Sequence, residues 1–337
     1  MTPASSILVV GESLVDVVTG PEGATDQQAF EHVATPGGAP LNVAVGLARL
    51  GVPTQLLTRF GRDANGERIA RHLESSGVRL RPGSADARST SVARARVDAR
   101  QQATYEFELS WDPPSSAFPA DCVAVHIGSL GTVVAPGAGV VEDLAAQARA
   151  ASLVVSYDPN VRPSVLADVP DPWRDVRRWA AGATVVKLSD QDGAYLQPGR
   201  PVDDLLDELL SAEHTLLAVV TLGERGIRMA TTTHRVDVPA PPTRVVDTVG
   251  AGDACMAGLL AALRGRGQLQ RSAIGRLRVD DLRAVGSAAA AVAALTCSRR
   301  GADPPWLRDL EGRAQASILT GNHEPGAGAT SRATGAG

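Results

Sequence analysis

Short apolar runs alternate with segments of helical spacing along most of this chain, and that alternation restricts the fold more than any other feature. CVAVHIG (122–128), SLVVSY (152–157) and LLAVVTLG (216–223) are almost unbroken apolar stretches, as expected of strands covered by helices on both faces. SILVVGE (6–12) and TVVKLS (184–189) read the same way, while NVAVGLARLG (42–51), GERIARHLESSGV (66–78), VVEDLAAQARA (140–150) and DDLLDELLSA (203–212) carry helical periodicity. Strands and helices in this order form βαβ units, so the expected fold is α/β with a mostly parallel sheet. Ligands of such sheets bind beyond the carboxyl ends of the strands. Polar and glycine residues cluster there: Gly11–Glu12, Asp158–Asn160, Lys187–Ser189 and Thr221–Gly223.

One region departs from the pattern. From Thr90 to Leu109 polar and apolar residues alternate, with Tyr105, Phe107 and Leu109 on one face and Glu106 and Glu108 on the other, which predicts a half-exposed antiparallel hairpin. With strand material from Val17 to Val33 it would form a small sheet, either a lid over a site or a dimerisation surface. GNHEPGAGATSRATGAG (321–337) has no large apolar residue and is expected to be disordered. The predicted organisation is one domain over 6–317, with lid strands inserted at 17–33 and 90–109, and a tail over 318–337.

A chain of 337 residues that is 44% hydrophobic can bury a large core. Its net charge of −4 is spread over interleaved acids and bases, so neither nucleic acid nor a membrane surface is an expected partner. The N-terminus shows no basic segment followed by an apolar one, which gives a cytoplasmic expectation. Cys122, Cys255 and Cys297 have neither a CxxC nor a metal-site spacing and read as reduced, buried thiols.

The densest motif is RVVDTVGAGDACMAGLLAAL (244–263), in which aspartates and glycines give way abruptly to apolar residues. The run from Ala254 to Leu263 predicts a buried helix that starts between Gly250 and Asp253. Free N–H groups and the positive end of the helix dipole there make an anion site that glycines allow a phosphate to approach. Asp253 would be held ionised in the first turn. A carboxylate beside an anion site suits removal of a hydroxyl proton and transfer of a phosphoryl group. Alone, such an Asp is an ordinary capping residue. Two commoner glycine motifs fail: a dinucleotide fingerprint needs glycine where Cys255 stands, and a P-loop needs Lys-Ser or Lys-Thr after its second glycine.

DTVGAGDACMAGLL resembles the C-terminal signature of the ribokinase-like, or PfkB, carbohydrate kinases, and GGAPLNVAVGLARLG (37–51) with GRDANGERIARHLESSGV (61–78) resembles their N-terminal one. The resemblance covers about residues 6–310 in family order. It implies a three-layer α/β/α sandwich with a small β lid and transfer of the ATP γ-phosphoryl group to a sugar hydroxyl. It also implies Asp253 as base, with Gly250, Ala251 and Gly252 as the anion hole. Asp16, Gly37, Gly38 and Asn42 fall where the family holds sugar hydroxyls. Lys187, Ser189, Thr221, Gly223 and Gly226 fall near the ATP phosphates and ribose. The family's Asn-x-x-Glu is here Ser189-Asp190-Gln191-Asp192, so Asp192 would reach Mg²⁺ through water. Ala290 stands where many relatives have an Asn near the adenine. A monovalent cation such as K⁺ would sit between Asp247, the Val249 carbonyl, and later carbonyls near Thr296, Arg299 and Gly301.

VVSYDPNVRPSVL (154–166) resembles the DPNxR segment of fructokinases and 2-keto-3-deoxygluconate kinases. Arg162 would then hold a substrate hydroxyl, carboxylate or phosphate. Fructose is the first choice of acceptor and 2-keto-3-deoxygluconate the second. A regulator that binds sugar or nucleotide on the same fold is the alternative from another class. The expected partners are the sugar and ATP, with a homodimer through the lid as the candidate assembly.

Overall fold

The computed structural model describes residues 5–19, 34–97, 103–167 and 169–319. Its thirteen strands are β1 (Ser6–Val10), β2 (Leu14–Thr19), β3 (Ala34–Gly37), β4 (Thr54–Leu57), β5 (Arg79–Leu80), β6 (Ser91–Val97), β7 (Ala103–Glu108), β8 (Cys122–Gly128), β9 (Val154–Asp158), β10 (Val185–Ser189), β11 (Leu217–Thr221), β12 (Ile227–Ala230) and β13 (Arg235–Val238). Nine of them form the central sheet in the order β13-β12-β11-β10-β9-β8-β1-β4-β5. All pairings from β11 to β5 are parallel, and β12 pairs antiparallel with both β11 and β13. That last hairpin was not legible as strands, because its turn, Thr231–His234, separates two segments of only four residues.

The side-chain alternation of each strand feeds two separate cores. Ile7, Val9, Leu217 and Val219 face one layer, made by the helices Ala39–Arg49, Ala64–Ser75, Ala251–Gly265 and Val279–Cys297. Leu8, Val10, Ala218 and Val220 face the other, made by Gly137–Ala150, Pro172–Ala181 and Val202–Leu210. The sheet therefore has no wet face, which explains its unbroken apolar runs. The helix Ala251–Gly265 lies deepest. A Cβ on Gly258 would stand 2.9 Å from Ala289 Cα, so glycine lets it pack closely on the helix Val279–Cys297.

A second sheet has the order β3-β2-β6-β7. The predicted hairpin is β6 with β7, pairing Ala93 with Phe107 and Arg94 with Glu106. Glu106 and Glu108 are exposed, while Phe107 and Leu109 pack over Leu14, Ala93 and Leu130. The other two strands are displaced from the expected 17–33: β2 starts at Leu14 and β3 at Ala34. Leu14 belongs to the small apolar cluster, so pairing begins as soon as the chain leaves the Gly11–Ser13 bend. Most of 17–33, and the tail beyond 319, lie outside the described residues.

Both connections to this sheet grip one residue, Gly131. Glu12, between β1 and β2, accepts a 2.9 Å hydrogen bond from Gly131 N, and Trp111 Nε1, just after β7, donates to Gly131 O at 3.0 Å. The small sheet is thereby seated on the turn that follows β8. Among the described residues no helix is long and apolar enough to cross a membrane.

Candidate active site

The carboxyl ends of β9, β10 and β11 and the start of the helix Ala251–Gly265 enclose a cavity of about 460 Å³. Gly250 caps that helix with φ of 76°, a left-handed turn that glycine adopts without cost. A Cβ there would also stand 2.6 Å from Ala302 Cβ. The Ala251 N–H turns back to Thr248 O at 3.2 Å. The following first-turn N–H groups, of Gly252 and Asp253, have no partner inside the helix, and both residues line the cavity.

Asp253 is 7% exposed. Asn42 Nδ2 donates to its Oδ2 at 2.8 Å, and Asn160 Nδ2 lies 3.5 Å from its Oδ1. Burial pushes its carboxyl up to about 6, opposed by the Asn42 hydrogen bond, raised further by Asp158 and lowered by Lys187 and Arg162. Below that range it is a neutral acid, and above it a dry, oriented carboxylate: the state a general base near neutral pH requires.

Lys187 and Asp158 form a fully enclosed ion pair, Nζ to Oδ2 2.7 Å, with side-chain exposures of 3% and 5%. Burial alone would lower the lysine, but Asp158 reverses this and holds it above the ordinary value. Asp158 Oδ1 accepts from Asn160 N at 3.2 Å. Asn160 takes a left-handed φ of 40°, uncommon for a residue with a Cβ. No role was assigned to Asp158 or Asn160 from the sequence. Their signal was the polar DPN at a strand end, where side chains point into the cavity.

Ser189 and Asp192 form a capping box on the helix Asp190–Leu196: Ser189 Oγ accepts from Asp192 N at 3.0 Å and Asp192 Oδ2 from Ser189 N at 2.8 Å. Asp192 Oδ1 accepts from Val161 N at 3.0 Å. Both residues line the cavity together with Thr221 and Gly223. Gly226 does not line it. Its φ of 97° makes the turn into β12, where a Cβ would strike Val238 O at 2.1 Å.

On the other side of Asp253, Asp16 on β2 and Gly37 on β3 meet so closely that a Cβ on Gly37 would stand 2.1 Å from Asp16 Oδ2. Gly38, with φ of 108°, begins the Asn42 helix and passes over Glu12 O. Burial raises the Asp16 carboxyl, and Arg162 opposes this. Arg162 also lowers Glu12 and Asp253, so one guanidinium on the cavity wall bears on acids from three segments. The sequence places Glu12 in the polar cluster at the strand ends without assigning it a role. Burial pushes it up to about 7.

Asp247, expected to bind a monovalent cation, holds two backbone N–H groups. Its Oδ1 accepts from Val249 N at 3.0 Å and its Oδ2 from Gly301 N at 2.8 Å. Thr296 is fully buried, and Arg299 pairs with Asp309 at 2.9 Å. Among the described residues no three His, Cys, Asp or Glu side chains converge on a metal position.

The sheet order, the two helical layers and the second sheet over the strand ends define a ribokinase-like α/β protein. The chain belongs to the pfkB family of carbohydrate kinases, whose model matches residues 4–309. It is 33% identical over 285 residues, 82% of this chain and 85% of the relative, to a fructokinase of Rhizobium leguminosarum bv. trifolii. A fructokinase of Xylella fastidiosa with bound ATP superposes with a TM-score of 0.72 at 26% identity, covering 88% of this chain and 93% of that one. A fructokinase double mutant of Vibrio cholerae, bound to fructose, ADP and potassium, gives a TM-score of 0.70 at 25% identity, over 89% and 94%.

Proposed function

We propose that this carbohydrate kinase phosphorylates fructose with ATP. The carrying observation is the position of Asp253: buried, held by Asn42, and set at a helix start that opens on a 460 Å³ cavity. The fructokinase relatives support fructose as the acceptor. The sugar lies between Asp16, Gly37, Gly38, Asn42 and Arg162, where a carboxylate, an amide and a guanidinium offer both acceptors and donors to vicinal hydroxyls. Asp253 Oδ removes the proton of the primary hydroxyl, and the N–H groups of Gly252 and Asp253 face the charge on the transferring phosphoryl group. The small sheet closes over the sugar and keeps water from competing for that phosphoryl group.

The nucleotide lies along Lys187, Ser189, Thr221 and Gly223. The donor set on that wall suits hydrated Mg²⁺. Each Asp192 oxygen accepts one backbone N–H and keeps lone pairs for a metal-bound water. Bound there, Mg²⁺ would neutralise phosphate charge. The Asp247 loop is the candidate K⁺ site, supported by the potassium-bound fructokinase neighbour. Three free thiols and a nucleotide substrate fit a reducing, cytoplasmic setting.

The test is ADP release with Mg-ATP against a panel led by fructose and 2-keto-3-deoxygluconate, beside Asp253→Asn. A response to fructose that the variant loses supports the reading. A response to another sugar replaces fructose and keeps the reaction. Silence across the panel, with fructose bound, overturns it.

A further inference from the structure

Lys187 and Asp158 sit side by side on the parallel strands β10 and β9, each almost without solvent contact. A pair so placed gives little net stability, because two desolvated charges cost about as much as their attraction returns. Its neighbours explain its location better. The nearest atom to a Cβ built on Gly252 is Lys187 Nζ, at 3.5 Å, so the ammonium lies beside the Gly250–Asp253 turn, on the same cavity wall. Asp158 uses one oxygen for Lys187 and the other for Asn160 N. That second bond pins the left-handed Asn160, whose amide lies 3.5 Å from Asp253 Oδ1, the long limit of a hydrogen bond. Asn42 holds the opposite oxygen from another helix.

We propose that Lys187, Asp158 and Asn160 are a positioning relay for phosphoryl transfer: the ion pair fixes a positive charge beside the Gly250–Asp253 turn and holds the Asn160 turn that orients the second oxygen of the base. The proposal rests on Asp253 being the base. Lys187 also lines the proposed nucleotide wall, so Asp158→Asn and Asn160→Gly, which leave Lys187 in place, separate positioning from contact with ATP. The charged and titratable groups that bear on Asp253 are Asp158 from β9, Arg162 from the segment after it and Lys187 from β10. Those that bear on Lys187 include Asp158, Cys255 and Asp192.

The experiment compares Lys187→Met, Asp158→Asn, the double variant and Asn160→Gly for kcat, sugar KM, melting temperature and the acidic limb of kcat/KM. The single variants should move that limb in opposite directions, Lys187→Met to higher pH and Asp158→Asn to lower pH, because one removes a charge that favours the Asp253 carboxylate and the other a charge that opposes it. The double variant removes the pair together and should regain the stability that either single variant loses, yet turn over about 100-fold more slowly with nearly unchanged sugar KM. Asn160→Gly keeps the left-handed turn and removes only the amide, so it folds even where the others do not; its kcat should fall about tenfold. A double variant or an Asn160→Gly protein with near wild-type kcat, or single variants with unmoved acidic limbs, would overturn the relay while leaving the kinase reading intact. A wild-type chain that phosphorylates no sugar would remove the base assignment and the relay with it.

Discussion

The side-chain amide of Asn42 donates a 2.8 Å hydrogen bond to Asp253 across 211 positions of sequence, joining the first turns of two helices that belong to separate motifs. The close approach is possible because Gly46, one turn along the first helix, meets Ala257: a Cβ on Gly46 would stand 2.7 Å from Ala257 Cβ. The amide donates to the proposed base, while Asn42 Oδ1 is buried with no partner among the described residues. A buried acceptor without a partner is costly, and in the proposed complex a sugar hydroxyl would satisfy it. On that reading one residue both orients the base and reads the substrate.

Asn42→Ala should therefore affect both. Loss of the hydrogen bond removes the main force that lowers the Asp253 carboxyl, so the acidic limb of kcat/KM should move to higher pH than in the wild type. Sugar KM should rise about tenfold with loss of the acceptor. A pH profile on the variant checks this. An unmoved limb would show that Asp253 does not set it.

Asp253→Asn should lower kcat by about 10² to 10⁴ with little change in sugar affinity, since the amide keeps the shape but cannot take a proton. Sugar binding by calorimetry beside turnover separates the two effects. Equal loss of binding and rate would assign Asp253 to substrate recognition instead.

The two anion-site glycines should respond differently. Gly250→Ala forces a Cβ into left-handed backbone and against Ala302, so it should destabilise the fold by about 1–3 kcal/mol. Gly252→Ala meets only Lys187 Nζ, at an ordinary 3.5 Å. It should melt like the wild type but lose about tenfold or more in kcat/KM for ATP, because the methyl group occupies space that the phosphates approach. Thermal melts and ATP kinetics on the pair make the comparison, and equal melting losses would refute it.

Which parts of this were legible in the sequence follows from how far each interaction reaches. The strand and helix order came from periodicity, and Asp253 and its glycines from a contiguous motif. The Asp158–Lys187 pair was invisible as a pair because it joins adjacent parallel strands that are separated by a whole crossover helix; nothing in either segment names its partner. Asp192 shows the opposite case. Its acidic type at the third position after Ser189 is the local signal of a capping box, and the structure shows that cap closed. Gly226 resembled a phosphate-side glycine in TLGERGI but serves the turn into β12, a strand too short to be seen by alternation.

Glu12 offers a test that needs no substrate. Its carboxyl is raised by burial from 4.5 to about 7, against hydrogen bonds from Ser129 and Gly131 and the charge of Arg162. A group raised on folding contributes stability that is complete below its unfolded value and is lost as pH rises through the folded one. The wild type should accordingly lose stability from this group between about pH 4.5 and 8, on the order of 1–3 kcal/mol. Glu12→Gln keeps an oxygen for Gly131 N–H and cannot ionise. It should melt higher than the wild type at pH 8 and no higher at pH 4.5. Parallel melting curves across that range would show that Glu12 is neutral, or charged, in both states. If the variant also binds sugar normally at pH 8, the seat of the small sheet depends on the hydrogen bond to Gly131 and not on the charge.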